Sequence, residues 1–245
     1  MPGLVHRSHF GYGRSMDAAP RVSTVAALIA EPARARMLNA LMDSDTMTAT
    51  ELSMHARVTR QTASSHLASL REGGLVALEK RGRSHYYRLS GPAVAEAIEA
   101  LQVLAADGVQ PGWRAALHNE PLRIARTCYD HLAGRLGVAI TESLVRRKYL
   151  EPRGGDFRVK AAGERFLHRV GVNVENARTK HRQFARQCLD WSERRPHLAG
   201  SLGAALASRC FELGWLRRIP GSRAVAVTNR GLVALRDAFS FALIE

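Results

Sequence analysis

The run Cys128-x-x-His131 sets a thiol and an imidazole three residues apart. Thiolate sulfur and imidazole nitrogen are the ligands that zinc and other borderline metals favour. A second pair, Cys188 and His197, lies downstream in a similar stretch of chain. If the two stretches fold alike and pack about a pseudo-two-fold axis, Cys128, His131, Cys188 and His197 converge as a metal site. Spacing alone puts Cys128 and His131 one helical turn apart on one helix face. The same residues allow other chemistry. Two thiols that meet can sense oxidants or thiol-reactive agents. A cysteine with a histidine base is the core of a Cys/His enzyme, although a helix-borne pair one turn apart is poorly aimed for attack. Tyr129, Trp191 and Trp215 are candidate walls for a small organic effector between the two stretches. The plainest role is packing, since buried cysteine acts as a small hydrophobe. Effector candidates are therefore Cys128, Tyr129, His131, Cys188, Trp191 and His197, with zinc or another metal ion as one possible cofactor.

A second constellation is suited to nucleic acid. Residues 59–71 read Thr-Arg-Gln-Thr-Ala-Ser-Ser-His-Leu-Ala-Ser-Leu-Arg. On a helix, Leu67 and Leu70 would face a core, leaving Arg60, Gln61, Thr62, Ser64, Ser65 and His66 outward. Gln reads adenine bidentately, and Ser, Thr and Arg reach bases or phosphates. Downstream, Lys80, Arg81, Arg83 and His85 surround a Gly at position 82. They suit phosphate or minor-groove contact from a hairpin tip. Ser, Thr and Gln also occupy ordinary solvated helix faces. The ordered set of helix, Gly-Gly, strand, basic tip and strand is what favours DNA.

The elements that must carry these residues can be read in order. Residues 22–41 have helical apolar spacing, with Pro32 marking a junction. Residues 48–56 form a short helix capped by Thr48 or Thr50. Residues 60–72 form the next helix, stopped by Gly73-Gly74. Strands at 75–80 and 85–89 flank a turn at 81–84, and 93–106 is a further apolar-striped helix. A helix, a turn, a second helix and a two-stranded basic wing make a winged helix-turn-helix, whose second helix fits the major groove.

The remaining half contains a two-copy repeat. Residues 125–137 and 185–203 share Ala-Arg-x-Cys, an Asp, and His-Leu-Ala-Gly-x-Leu-Gly, with an insertion from 191 to 196 in the second. Each copy continues as a helix, a short hairpin and a closing helix near Gly163 or Gly231. The copies also resemble decayed winged helices, but residues 138–150 are about one turn short of a recognition helix. Basic runs at 146–148, 194–195 and 217–218 read as solvated helix ends.

The first half resembles the ArsR family of bacterial winged-helix repressors, over residues 22–106. The resemblance rests on Glu31-Pro32-Ala33-Arg34 within the entry helices, and on Ser64-Ser65-His66-Leu67 through Leu70-Arg71-Glu72-Gly73-Gly74-Leu75-Val76. It implies a homodimer paired through the first and last helices of this unit, bound to a palindromic operator and released by an effector. The chain departs from the family in its sensor. The family's cysteine pair would fall near 47–50, where this chain has none, and residues 91–104 offer only Glu96 and Glu99. Neither family metal site carries over.

Bulk properties agree. A formal charge of +14 and a pI near 10.9 favour a polyanionic partner. Three scattered cysteines suit a reduced cytoplasmic setting rather than a disulfide framework. No apolar run has the length of a membrane span, and the first residues lack a signal-peptide core. No P-loop, dinucleotide fingerprint, nucleophile elbow or zincin motif occurs.

The expected architecture is mainly α with short β-hairpins. Residues 1–20 form a flexible basic arm, 21–106 the winged helix-turn-helix and dimerisation domain, and 107–120 a linker. Residues 121–245 form a two-copy helical, wing-like repeat domain that senses an effector, with copies at about 121–175 and 176–245. The expected function is a DNA-binding transcriptional regulator, not an enzyme. A constitutive or architectural DNA-binding protein is the alternative.

Overall fold

The computed structural model describes residues 22–44, 46–107, 120–220 and 222–240. The arm at 1–20 and nearly all of the 107–120 linker lie outside the described residues.

The first half opens with α1 (Val22–Ala30) and α2 (Pro32–Asp43). Their junction explains the Glu-Pro-x-Arg run. The Glu31 carboxylate caps α2, accepting from the Arg34 amide at 2.7 Å, and Pro32 sits where no amide donor is needed. The Arg34 guanidinium turns back and donates to the carbonyls of Leu28 at 2.7 Å and Ala27 at 2.9 Å. One glutamate and one arginine thus fix the angle between the helices.

β1 (Met47–Thr48) leads into α3 (Ala49–Ala56), which begins with a reciprocal capping box between Thr48 and Glu51. α4 (Arg60–Glu72) is capped by Thr59, whose hydroxyl accepts from the Thr62 amide. Its stop uses both glycines, and the left-handed one is Gly74. β2 (Val76–Arg81) and β3 (Ser84–Leu89) pair antiparallel with Gly82-Arg83 at the tip, and β1 joins β3 as the third strand. α5 (Pro92–Asp107) packs back on the unit. Leu38, Leu52, Leu67, Leu70, Leu89 and Ile98 meet in its core. These are the winged-helix elements in the order expected.

The second half starts with α6 (Glu120–Ile124). The first copy then runs β4 (Arg126–Cys128), β5 (His131–Ala133), α7 (Gly134–Arg146), β6 (Leu150–Arg153), β7 (Asp156–Val159) and α8 (Ala161–Val170). After α9 (Val174–Arg178), the second copy runs β8 (Arg186–Leu189), β9 (Pro196–Ala199), α10 (Gly200–Glu212), β10 (Leu216–Arg218), β11 (Val225–Val227) and α11 (Asn229–Phe239). Each copy is a hairpin, a helix, a hairpin and a helix. The copies join through the sheet β6-β7-β8-β9 and share a core that includes Leu136, Ile140, Phe166, Leu202 and Phe239.

Matched glycines show why the repeated sequence folds twice in one way. α7 and α10 each start on a left-handed glycine, Gly134 at φ +74° and Gly200 at φ +79°. One turn later, a Cβ on Gly137 would lie 2.3 Å from the Leu132 carbonyl, and a Cβ on Gly203 2.3 Å from that of Leu198. Each helix therefore presses onto the strand before it. The same two positions face the opposite copy. The Gly137 Cβ would be 3.6 Å from the His197 Cβ, and the Gly203 Cβ 3.2 Å from the His131 Cβ.

Two sequence expectations need correction. Cys128 and His131 do not share a helix. They are directly opposed partners across the β4–β5 hairpin, and Tyr129, in the left-handed region at φ 58°, forms the turn with Asp130. A spacing of three fits a helical turn and a two-residue hairpin equally well. The helix after that hairpin is also not short: α7 and α4 each have 13 residues. What separates them is burial. α4 buries only Ala63, Leu67 and Leu70, whereas α7 buries Leu136, Val138, Ile140, Thr141, Ser143 and Leu144 among others. α7 keeps only a narrow, partly exposed stripe of Arg135, Ala139, Glu142 and Arg146.

Candidate nucleic-acid interface and buried cysteine–histidine cluster

The α4 face expected to read DNA is open. Arg60, Gln61, Thr62, Ser64 and Ser65 are exposed, while Ala63, Leu67 and Leu70 pin the helix to the core. Some of these polar groups already have local partners. The Thr62 hydroxyl meets that of Thr59 at 2.9 Å, and the Ser64 hydroxyl donates to the Arg60 carbonyl at 2.9 Å. Gln61 and Arg60 are the long side chains left to reach outward. His66 is half-buried, and its Nε2 lies 3.7 Å from Glu31 Oε2. That contact turns it toward the α1–α2 junction rather than toward a groove.

Lys80, Arg81, Arg83 and His85 are exposed around the wing tip. Arg81 pairs with Glu79 at 3.0 Å and lies over the Tyr86 ring, so the wing holds its cation in a set direction. Tyr87, the next residue, packs on the core. The basic runs in the second half are engaged locally. Arg147 lies over Tyr149 and Phe166, Arg195 pairs with Glu142 at 2.6 Å, and Arg218 lies over Phe211.

The cysteine–histidine cluster forms where the two copies meet. β4–β5 supplies Cys128 and His131, and β8–β9 supplies Cys188 and His197, which are again directly opposed partners. All four are buried, and their four potential ligand atoms lie within 4.8 Å of one another. The two Sγ atoms are 3.8 Å apart, as free thiols, and the two Nε2 atoms are 3.2 Å apart.

Carboxylates stand behind both imidazoles. Asp130 Oδ1 is 3.4 Å from His131 Nδ1, and Asp190 Oδ2 is 3.2 Å from His197 Nδ1. The second contact is an ion pair whose angle falls short of a hydrogen bond. Asp190 is the more heavily engaged carboxylate. It accepts from Arg126 at 2.9 Å, from the Gly134 amide at 2.7 Å, and from the Ser192 and Glu193 amides at 2.9 and 3.1 Å. The Gly134 bond ties the start of the first copy's helix to the second copy's loop. Asp130 is held by Arg182.

The electrostatics follow from these neighbours. Burial would raise the Asp190 carboxyl, but His197 and Arg126 hold it well below the usual carboxylate range. Burial opposes charge on His197, yet Asp190 and the Cys188 sulfur outweigh it and raise its pKa to about 9. The hydrogen bond between the two sulfurs holds Cys188 low and pushes Cys128 up. Burial and the nearby Glu99 carboxylate raise Cys128 further. The third cysteine, Cys210, lies in the large apolar core, and burial pushes it up to about 12.

The three named aromatic residues pack in different surroundings, and Tyr129 lines a cavity with Leu41, Met42, Thr127 and Asp130. Trp191 is buried under the Arg126 guanidinium, 4.3 Å from the ring centroid. Trp215 packs on the large core of the second half, and Tyr129 packs on the core of the first. Arg126, Asp190, Asp130 and Glu99 are structurally engaged around the cluster without having been singled out by residue type and spacing. Repetition was the available signal, since Arg126 recurs as Arg186 and Asp130 as Asp190.

Comparison with known proteins places the chain among regulators. The family model described as a helix-turn-helix domain matches residues 29–79. The HTH-type transcriptional regulator YdfF of Bacillus subtilis is 41% identical over 215 residues, covering 88% of this chain and 95% of that protein. The HTH-type transcriptional regulator CmtR of Mycobacterium tuberculosis is 40% identical over 85 residues, covering 34% of this chain and 71% of that protein. Among solved structures, the homodimeric winged helix-turn-helix domain of Mb0332 from Mycobacterium bovis is 28% identical. It covers 36% of this chain and 82% of its own, with a TM-score of 0.34.

Proposed function

This chain belongs to the HTH-type transcriptional regulators, and we propose that it is a dimeric repressor of the ArsR winged-helix type acting on a palindromic operator. The recognition helix is α4, the wing is β2–β3, and the second half senses the effector that releases DNA. The observation that carries this reading is the open, polar face of α4 opposite a fully buried Ala63, Leu67 and Leu70. A helix anchored on one face and lined with Arg60 and Gln61 on the other is built to lie in a major groove.

Dimerisation is supported by apolar residues left outside the core on the first and last helices of this unit. Val22 and Val25 on α1 and Leu101 and Leu104 on α5 are exposed in the single chain. Large apolar side chains together on terminal helices mark an association surface. Two copies paired there would present two α4 helices to successive major grooves.

The test is selection of bound duplexes from a random library, followed by affinity measurement at several salt concentrations. Gln61→Ala should relax preference at one position per half-site, a loss of about 1–3 kcal/mol in discrimination. Arg81→Ala should weaken all sequences alike and lower the salt slope by about 1 per site. Unchanged specificity in Gln61→Ala would remove α4 from base reading.

A further inference from the structure

We propose that Cys128, His131, Cys188 and His197 hold one thiophilic divalent cation of the zinc class in a closed tetrahedral site, and that its occupancy sets operator affinity. The second clause rests on the repressor reading above, while the first stands without it.

Geometry carries the site. Zinc binds cysteine sulfur at about 2.3 Å and histidine nitrogen at about 2.0–2.1 Å. A regular tetrahedron built on those bonds has sulfur–sulfur edges of about 3.8 Å and nitrogen–nitrogen edges of about 3.3 Å. The corresponding separations here are 3.8 Å and 3.2 Å. Both edges therefore match a shared central ion. Each Nδ1 faces a carboxylate, so both Nε2 atoms point into one space. A shared proton or a cation must lie between them. Carboxylates behind metal-bound imidazoles orient the rings and raise their basicity.

The donor set chooses the ion. Two sulfurs and two imidazoles favour zinc or cadmium over magnesium or calcium, which prefer oxygen. Burial of all four side chains leaves no position facing solvent, so the site binds its ion rather than using it on a substrate. The donors come equally from the two copies, so an ion staples the β4–β5 hairpin to β8–β9.

A route from this staple to the DNA-binding unit is built from α5. Glu96 and Glu99 lie one turn apart on α5 and so share a face. Glu96 pairs with Arg186 at 2.7 Å, and Arg186 lies on β8, the strand that carries Cys188. Glu99, almost fully buried beside Cys128, pairs with Arg223 at 2.8 Å. α5 thus touches the hairpin of each copy. An ion held by donors from both copies locks those hairpins to one another, and its loss frees the helix that bears the exposed Leu101 and Leu104 to shift. The angle between paired recognition helices shifts with it.

The test uses the full-length protein, stripped of metal by chelator under reducing conditions and titrated with zinc chloride and with cadmium chloride. Native mass spectrometry counts ions per chain, the ultraviolet thiolate-to-cadmium band reports sulfur ligation, and fluorescence anisotropy reports operator affinity. The expected result is one ion per chain, a cadmium–thiolate band, and a change in operator affinity of about tenfold or more. Cys188→Ser should lose the band and the ion. His131→Gln, with circular dichroism confirming its fold, should lose the tight ion if Cys188→Ser fails to fold. Cys210→Ser should bind metal and DNA as the parent does. Wild-type protein that takes up no zinc or cadmium, or variants that bind it undiminished, would overturn the site. One ion bound with identical operator affinity in loaded and stripped protein would overturn the regulatory clause alone. Metal uptake without operator binding in either state would instead overturn the repressor reading.

Discussion

Asp190 ties the two copies together at several points. Its carboxylate is fully buried and meets Arg126, the Gly134 amide, the 192–193 amides and His197. A buried ion pair gives little net stability over an apolar pair, but removing one partner strands the other charge. Asp190→Asn leaves Arg126 without its counter-charge and weakens the support behind His197. Urea denaturation of metal-free protein should show a loss of about 3–5 kcal/mol. Metal affinity should fall about 10- to 100-fold. The sequence had marked Asp190 only as the repeat of Asp130. Its weight comes from Arg126 and Gly134, which lie 64 and 56 positions away. No local pattern announces such partners.

At the scale of elements, the hairpin–helix joint is the repeated device. Strand and helix approach so closely at Gly203 that a methyl group has no room beside the Leu198 carbonyl. Its other neighbour is the His131 Cβ, at 3.2 Å from the added atom. Gly203→Ala should therefore cost about 1–3 kcal/mol through overpacking. It should also weaken zinc binding by moving His131, which calorimetry of zinc-loaded and stripped protein would separate. If Gly203→Ala leaves both stability and zinc affinity unchanged, the joint is not rigid.

Elements with strong local signals were legible in the chain. α4 was bounded correctly because Thr59 caps it and Gly73-Gly74 stops it. The first hairpin of each copy was harder, because its short strands show no periodicity and no Gly or Pro marks its turn, unlike the second hairpins at Gly154-Gly155 and Pro220-Gly221. The inserted residues between Cys188 and His197 held the missing clue. A helix cannot take up such an insertion and keep two ligands on one face, whereas a hairpin loop can. The convergence of the four donors was legible from the duplication once a pseudo-two-fold was assumed.

Over the whole molecule, charge and coupling act at different places. The net charge of +14 favours a polyanionic partner broadly, and in the proposed function the wing and α4 convert it into register and reading. Communication between the halves passes through a few ion pairs at α5. Glu96→Gln removes the pair to Arg186 but touches neither the four donors nor the DNA-facing residues. Zinc stoichiometry should then stay at the parent value while the zinc-dependent change in operator affinity shrinks. Anisotropy titrations with and without zinc would measure both. An undiminished response would send the coupling route elsewhere.

The paired hairpins also imply a history. Two copies that each supply one cysteine and one histidine point to a gene segment that doubled. A single such segment carries half a ring of donors and could complete it only against an identical subunit. Fusion made that encounter intramolecular and released the copies from identity. One loop is a tight turn at Tyr129-Asp130, while the other is longer and contains Trp191 and Ser192. A mutation in either hairpin now alters one side of the ring alone, so natural selection can adjust the ring one donor at a time.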